Sequence, residues 1–217
     1  VLQDLARRGH LHITKSPDAA AEKLISDWHQ AGGADHPRDH QILVSDPEMA
    51  NTLNELASRA RRKNTAPTNS AQTEEFILLP SGEQIYPGDR ILCQKTDRRY
   101  RIQGSSLGTV LGVSGRLNSV QVELDQGNCV TLPLVTYPHI TRGYALGVWQ
   151  APPARHAYLL LGGACEDRQN TLVKLSCAAE TTRVYVAQHD AGPEMKDLAR
   201  QLARDRRKML ACELDPP

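Results

Sequence analysis

Two apolar runs rich in β-formers, 157–161 and 183–187, lie late in the chain, each preceded by a segment that reads as a turn or a helix. That alternation predicts a parallel sheet with crossover connections. The same pattern opens the chain. Residues 1–15 (VLQDLARRGHLHITK) predict the tail of a helix closed at Gly9, then a short strand over 10–14. Ser16 suits an N-cap with Pro17 at the first helical position. Ala20, Leu24, Ile25 and Trp28 then share one helical face, and Gly32-Gly33 end it. QILVSD (41–46) predicts a buried strand. Ser45 and Glu48 have capping-box spacing and open a helix with Met49, Leu53, Leu56 and Ala60 inward. Residues 1–62 thus read as strand–helix–strand–helix, half of an α/β layer.

The periodicity then changes. KNTAPTNSAQT (63–73) is aperiodic and rich in turn formers, which predicts a linker or exposed loop. From 76 to 134 come five short strands, FILL, GDRILCQ, LGTVLGV, SVQVELD and CVTLPL, with Asp125-Gln126-Gly127-Asn128 as a hairpin turn. Five strands at this spacing predict a small barrel. The α/β pattern resumes afterwards, so the barrel divides one domain. The expected division is 1–74 and 139–190 for the two parts of the α/β domain, 75–138 for the insertion, and 191–217 for a C-terminal basic amphipathic helix. That helix places Met195, Leu198, Leu202 and Met209 on one face and Arg200, Arg204, Arg206, Arg207 and Lys208 on the other. As a brace against the sheet it is the default; a tether or a partner contact are the alternatives.

Composition narrows the function classes. A hydrophobic share of 40% supports a core, and 4% aromatics makes it one of Leu, Val, Ile and Ala. A net charge of +1 excludes wholesale attraction to polyanions, so any such site is a local patch. Cys93, Cys129, Cys165, Cys177 and Cys212 are odd in number and never form C-x-x-C. That argues for reduced thiols in a cytoplasmic protein and against structural zinc. No run approaches a membrane span. The chain opens on Val1, so it reads as a piece of a longer protein.

Several motifs then occur in a fixed order. An L-N-x-x-A-x-x-A-R helix (Leu53, Asn54, Arg61) is followed by G-D-R-I and L-G-T-V in the insert. G-Y-A-L (143–146), an apolar strand and L-S-x-A-x-E-T-T-R-V-Y-V come after it. Together they resemble the second RecA-like domain of RecD-type superfamily-one DNA helicases, closest to the helicase half of TraA-type conjugative relaxases. The resemblance covers about 1–187. It implies an α/β, RecA-like (P-loop NTPase-type) parallel sheet interrupted by a small SH3-like β-barrel. It further implies a parent that uses ATP and magnesium, an N-terminal RecA-like domain of the same parent as partner, and single-stranded DNA as ligand, with no membrane.

The departures from that family matter as much. There is no G-x-x-x-x-G-K-[ST] in the sequence, so this chain alone is not expected to hydrolyse ATP. The family's T-x-H-K-x-Q-G after G-Y-A-L is replaced by 147–153, in which Pro152-Pro153 removes two N–H donors and forbids a helical start. The L-S-R-A-R-E segment has become Leu175-Ser176-Cys177-Ala178-Ala179-Glu180. Cys177 thus stands where the resemblance puts an arginine finger, a group worth about 10³- to 10⁵-fold in rate. The resemblance marks Gly143, Gln150, Cys177 and Glu180 as a degenerate nucleotide-facing set.

Other candidates come from the residues themselves. Arg98, Arg99, Tyr100 and Arg101 suit single-stranded DNA, the cations for phosphates and the ring for a base, or form an exposed charged loop. Trp149 suits either base stacking or packing in the core or a domain interface. Thr141, Arg142 and Tyr144 are further groove candidates. Arg59, Arg61, Arg62 and Lys63 read as phosphate contacts or as a solvated helix end. His36 and His40, with Asp35 and Asp39, mimic a metal spacing but lack a third ligand, so no metal is expected.

Overall fold

The computed structural model describes residues 2–64, 75–162 and 166–204. The stretch 65–74, most of the expected linker, lies outside them. So do Cys165, Cys212 and 205–217 with Met209, Arg206, Arg207 and Lys208.

The chain begins with α1 (Leu2–Arg7), β1 (Leu11–Thr14), α2 (Pro17–Gln30), β2 (His40–Leu43) and α3 (Pro47–Asn64). Ser16 caps α2, its Oγ accepting from Ala19 N at 3.2 Å, with Pro17 at the first position. Gly33 follows because a Cβ there would sit 2.2 Å from the Trp28 ring. The start of α3 differs from expectation. Asp46, not Ser45, is the cap: its Oδ1 accepts from Glu48 N at 2.9 Å. Pro47, whose missing N–H costs nothing at a helix start, takes the first turn and moves the cap one residue on.

The antiparallel region follows: β3 (Ile77–Leu78), β4 (Gln84–Ile85), β5 (Arg90–Cys93), β6 (Ser106–Ser114), β7 (Ser119–Leu124), β8 (Cys129–Pro133) and β9 (Ile140–Arg142). Five of these form one sheet in the order β8-β7-β6-β5-β9. The fifth member is β9, registered as Ile91↔Arg142 and Cys93↔Ile140. The FILL run, expected in the sheet, instead pairs only with β4 as a separate hairpin. Pro80 and Gly82 (φ +86°) turn it back within a few residues. Ile77, Ile91, Val110, Val120, Val122, Leu132 and Tyr137 make this region's own core.

The chain then returns through β10 (Ala145–Leu146), β11 (Ala154–Leu161), α4 (Arg168–Ser176), β12 (Ala178–Ala187) and α5 (Gln188–Ala191), a 3-10 turn (Pro193–Met195) and α6 (Lys196–Leu202). The parallel sheet has the order β1-β12-β11-β2-β10. Strands from before and after the antiparallel region are mixed in it: β11 pairs with β2 (His156↔His40) and β12 with β1 (Tyr185↔His12). One parallel layer is therefore interrupted by a separate antiparallel body, the α/β architecture expected from the sequence. The sheet is covered on both faces, by α2 and α3 on one and by α1, α4 and α6 on the other. The all-apolar run of β11 follows from that double burial. Between β10 and β11 there is no helix, in keeping with Pro152-Pro153. The terminal helix is broken: Gly192 (φ +66°) and Met195 (φ +60°) separate α5 from α6, and Leu198 packs under the sheet.

Candidate nucleic-acid interface

Three of the sequence motifs meet where the antiparallel body joins α3. Asp89 is wholly buried and accepts from Ser58 Oγ (2.8 Å), Tyr144 Oη (2.9 Å), Tyr86 N (2.9 Å) and Arg61 (3.3 Å). Arg61 Nε also donates to Tyr144 Oη at 3.1 Å, and its other nitrogen to Pro87 O at 3.0 Å. Two turns before Arg61 on α3, Asn54 Oδ1 accepts from the N–H of both Tyr144 and Ala145 at 2.8 Å. Gly88 (φ +81°) lets the Arg61 guanidinium pass, since a Cβ there would lie 2.5 Å from it. The L-N…A-R, G-D-R and G-Y-A signatures are thus the three parts of one clasp.

The clasp accounts for several residues that sequence reasoning gave other tasks. Tyr144, a groove candidate, is 4% exposed, edge-on to Trp28, and burial and Asp89 drive its hydroxyl pKa upward. Gly143, in the nucleotide-facing set, lies against β5, where a Cβ would meet the Ile91 carbonyl carbon at 2.7 Å. Arg61 is a fastener, and Arg62 sits 3.9 Å over the Tyr86 ring. Arg59 pairs with Glu55.

The arginine turn stands at the far end of the antiparallel body. Asp97 and Ile102 bridge its base. Arg99 is tied to Asp97 (Nε–Oδ1 3.1 Å), and that bond holds the Asp97 carboxyl below its usual range. Tyr100 is half-buried, its hydroxyl 2.8 Å from Thr136 Oγ1 and its ring under the Arg99 guanidinium at 5.5 Å. Arg98 and Arg101 are exposed, and Arg101 takes a left-handed backbone (φ +54°). Arg99, Tyr100 and Arg101 form one wall of an open groove whose other wall is 127–131.

Trp149 is 78% exposed, on the loop after β10, so it is not packed in an interface within this chain. The groove beside it is lined by 103–107, 125–126 and 150–152. The two grooves lie on either side of the β7–β8 turn, which contributes Gln126 to one and Gly127 to the other. Trp149 and the arginine turn therefore share one band of surface around that turn. Thr141 and Arg142 lie elsewhere, in a polar groove with Asn51 and Glu55 of α3 and Glu83 of the β3–β4 turn. Arg142 is held there by Gln84 O at 2.7 Å, and burial raises the Glu83 carboxyl pKa.

The members of the nucleotide-facing set each have local partners. Cys177 ends α4 beside the start of β11, its carbonyl accepting from Ala154 N at 3.1 Å; burial raises its thiol pKa. Glu180 pairs with Arg155 at 2.7 Å. Gln150 turns back onto Gly147 N at 3.2 Å. Gly143 leads into β10, three strand positions from β12. His40 is not poised for a metal: its ring lies 4.6 Å from that of His156, with Tyr158 Oη 3.2 Å from Nδ1. Among the described residues no group of three His, Cys, Asp or Glu side chains could hold a metal ion. Nor is any helix there long and apolar enough to cross a membrane.

Sequence reasoning missed Ser58 and Asp89 as partners, and Gln103 and Gln126 as neighbours of Trp149. A polar Asn54 on the inward face of an amphipathic helix was a signal for the clasp.

No protein-family model matches the sequence, and no curated protein matches it. Among solved structures the chain is similar to a Pif1 helicase from Bacteroides in complex with ADP-AlF3 and ssDNA. Identity is 10% and the TM-score 0.46, over 75% of this chain and 44% of that one. It is also similar to Bacteroides Pif1 bound to ssDNA, at 11% identity and a TM-score of 0.47, over 79% and 49%. The chain spans about half the length of the structures it matches.

Proposed function

We propose that this chain holds single-stranded DNA as a helicase-like module. In this reading it is the second RecA-like domain, with an SH3-like insert, of a superfamily-one enzyme of the RecD or TraA-relaxase kind, working in the cytoplasm beside an N-terminal RecA-like partner domain. The observation that carries it is the shared band of Trp149 and the Arg98–Arg101 turn. An exposed indole offers a stacking platform worth about 1–3 kcal/mol per base, and guanidiniums at the other end match phosphates. The clasp ties α3 and the antiparallel body, which carries the arginine turn, to the strand that leads to Trp149.

ATP and magnesium belong in this reading to the parent, and the groups carried here fit a triphosphate poorly. Cys177 is a neutral, half-buried thiol, and Glu180 already has Arg155 as counter-ion. A thiol cannot replace a permanent guanidinium fork. Cys177 accordingly favours a second reading, a module kept for DNA or protein binding in a protein that turns nucleotide over slowly or not at all. Cys177→Arg in the full-length parent separates the two. A gain in DNA-stimulated turnover supports loss of function at Cys177, and no change contradicts it.

The DNA-holding reading is tested by anisotropy titration of a labelled single strand at several salt concentrations. Binding that weakens with salt, and weakens further in Trp149→Ala and Arg101→Ala, supports it. Equal binding by the wild type and both variants sinks it.

A further inference from the structure

The groove beside Trp149 differs chemically from the rest of the band. Its one carboxylate, Asp125, is engaged by two guanidiniums, Arg90 (2.6 Å) and Arg38 (3.0 Å). What remains is uncharged: the amides of Gln103, Gln126 and Gln150 and the hydroxyls of Ser105 and Ser106. Gln150 is spent on Gly147 N, which fixes the loop that carries Trp149. Among the described residues nothing bonds to the side-chain amides of Gln103 or Gln126, and both are exposed. Ser105 holds a left-handed backbone (φ +66°), a strained conformation for a residue with a Cβ, of the kind that clusters at ligand sites. The groove measures about 290 Å³, the lower end of the range for small ligands. An aromatic platform and two amides with both donor and acceptor atoms, in a groove whose lining includes no lysine or arginine, suit a neutral planar heterocycle better than a phosphate.

We propose that this groove is a nucleobase pocket: one base, turned out of the bound strand, stacks on Trp149 and has its polar edge read by Gln103 and Gln126. The proposal rests on the DNA-holding reading and deepens it, because it gives the band a sequence preference. Stacking alone is tolerant of base identity, since every base has a π-face. Amides that meet a base edge are not tolerant, and a matched pair is worth about 1–3 kcal/mol of discrimination. The arginine turn then contacts the backbone of the same strand and sets its register without reading sequence.

The test uses the full chain and single-stranded homopolymers of equal length in A, C and T, with an abasic strand as control. Wild type is expected to separate the best and worst homopolymer by at least about fivefold. Trp149→Ala should weaken all three by roughly tenfold and bring them to the level of the abasic strand. Gln103→Ala/Gln126→Ala should compress the spread by weakening the best-bound homopolymer most; both side chains are exposed, so folding is not at stake. If all homopolymers bind alike, or the spread survives in the glutamine variant, the base-reading pocket is wrong while the DNA-holding reading stands. If no strand binds at all, both fall.

Discussion

The Tyr144 hydroxyl donates to Asp89 Oδ1 at 2.9 Å, joining residues 55 positions apart. The antiparallel body thereby closes on the strand that returns to the parallel sheet. Asp89 is wholly buried and the Arg61 side chain 14% exposed, so their charges are shielded from water and depend on each other. Asp89→Ala is expected to cost about 3–5 kcal/mol, because it strands a largely buried guanidinium. Tyr144→Phe, which removes one hydroxyl, should cost about 1 kcal/mol. Urea midpoints measure both, and an Asp89→Ala loss below that of Tyr144→Phe would contradict the clasp.

Gly143 separates a structural from a nucleotide-binding role. The atoms nearest a Cβ there are the Ile91 carbonyl carbon and oxygen, at 2.7 and 2.9 Å, and backbone cannot rotate aside. Gly143→Ala should therefore destabilise the fold by about 1–3 kcal/mol while the folded fraction binds DNA as before. Thermal unfolding alongside a DNA titration reads the two separately.

The arginines of the turn are not equivalent. Arg99 directs Nε and one terminal nitrogen to Asp97, whereas Arg101 is exposed beside the groove. Arg101→Ala should lower the slope of log affinity against log salt by about 0.7, the share of one phosphate contact on a single strand. Arg99→Ala should lower it less. Slopes from titrations at several salt concentrations decide the order.

His40 makes stability depend on pH. Its pKa is lowered from 6.5, first by burial and then by the His156 ring beside it. The unfolded chain therefore takes up a proton that the folded one resists. Stability is complete above about pH 6.5 and falls as pH drops through that value toward the folded pKa. The charged and titratable groups around it are His36 and Asp39 in the preceding loop, Arg155 and His156 on β11, and Glu180 on β12. His40→Gln should flatten the melting temperature between about pH 7 and pH 5. A residual slope is expected from His12, whose pKa burial also lowers.

What could be read in advance followed local chemistry. Ser16-Pro17 announced α2, Gly32-Gly33 its end, and the apolar run 157–161 a strand of a parallel sheet. The three-residue β9 was illegible, because so short a strand has no periodicity and is defined only by β5. Whether Trp149 or Tyr144 would be the exposed ring was equally hidden. Tyr144 lies within G-Y-A-L and Trp149 three residues past its end, and only Asn54, Arg61 and Asp89, distant in sequence, draw Tyr144 inward. The motif residues stood out, but their shared place in one clasp exists only in three dimensions.

The central claim is that single-stranded DNA lies across Trp149. The chain has two tryptophans, and Trp28 is 1% exposed against 78% for Trp149, so a collisional quencher in solution reads Trp149 almost alone. The direct measurement is acrylamide quenching with and without a saturating single strand. The account predicts that the strand shields the exposed component, and that Trp149→Phe abolishes the change. Quenching that is the same with and without a strand shown to be bound would contradict it.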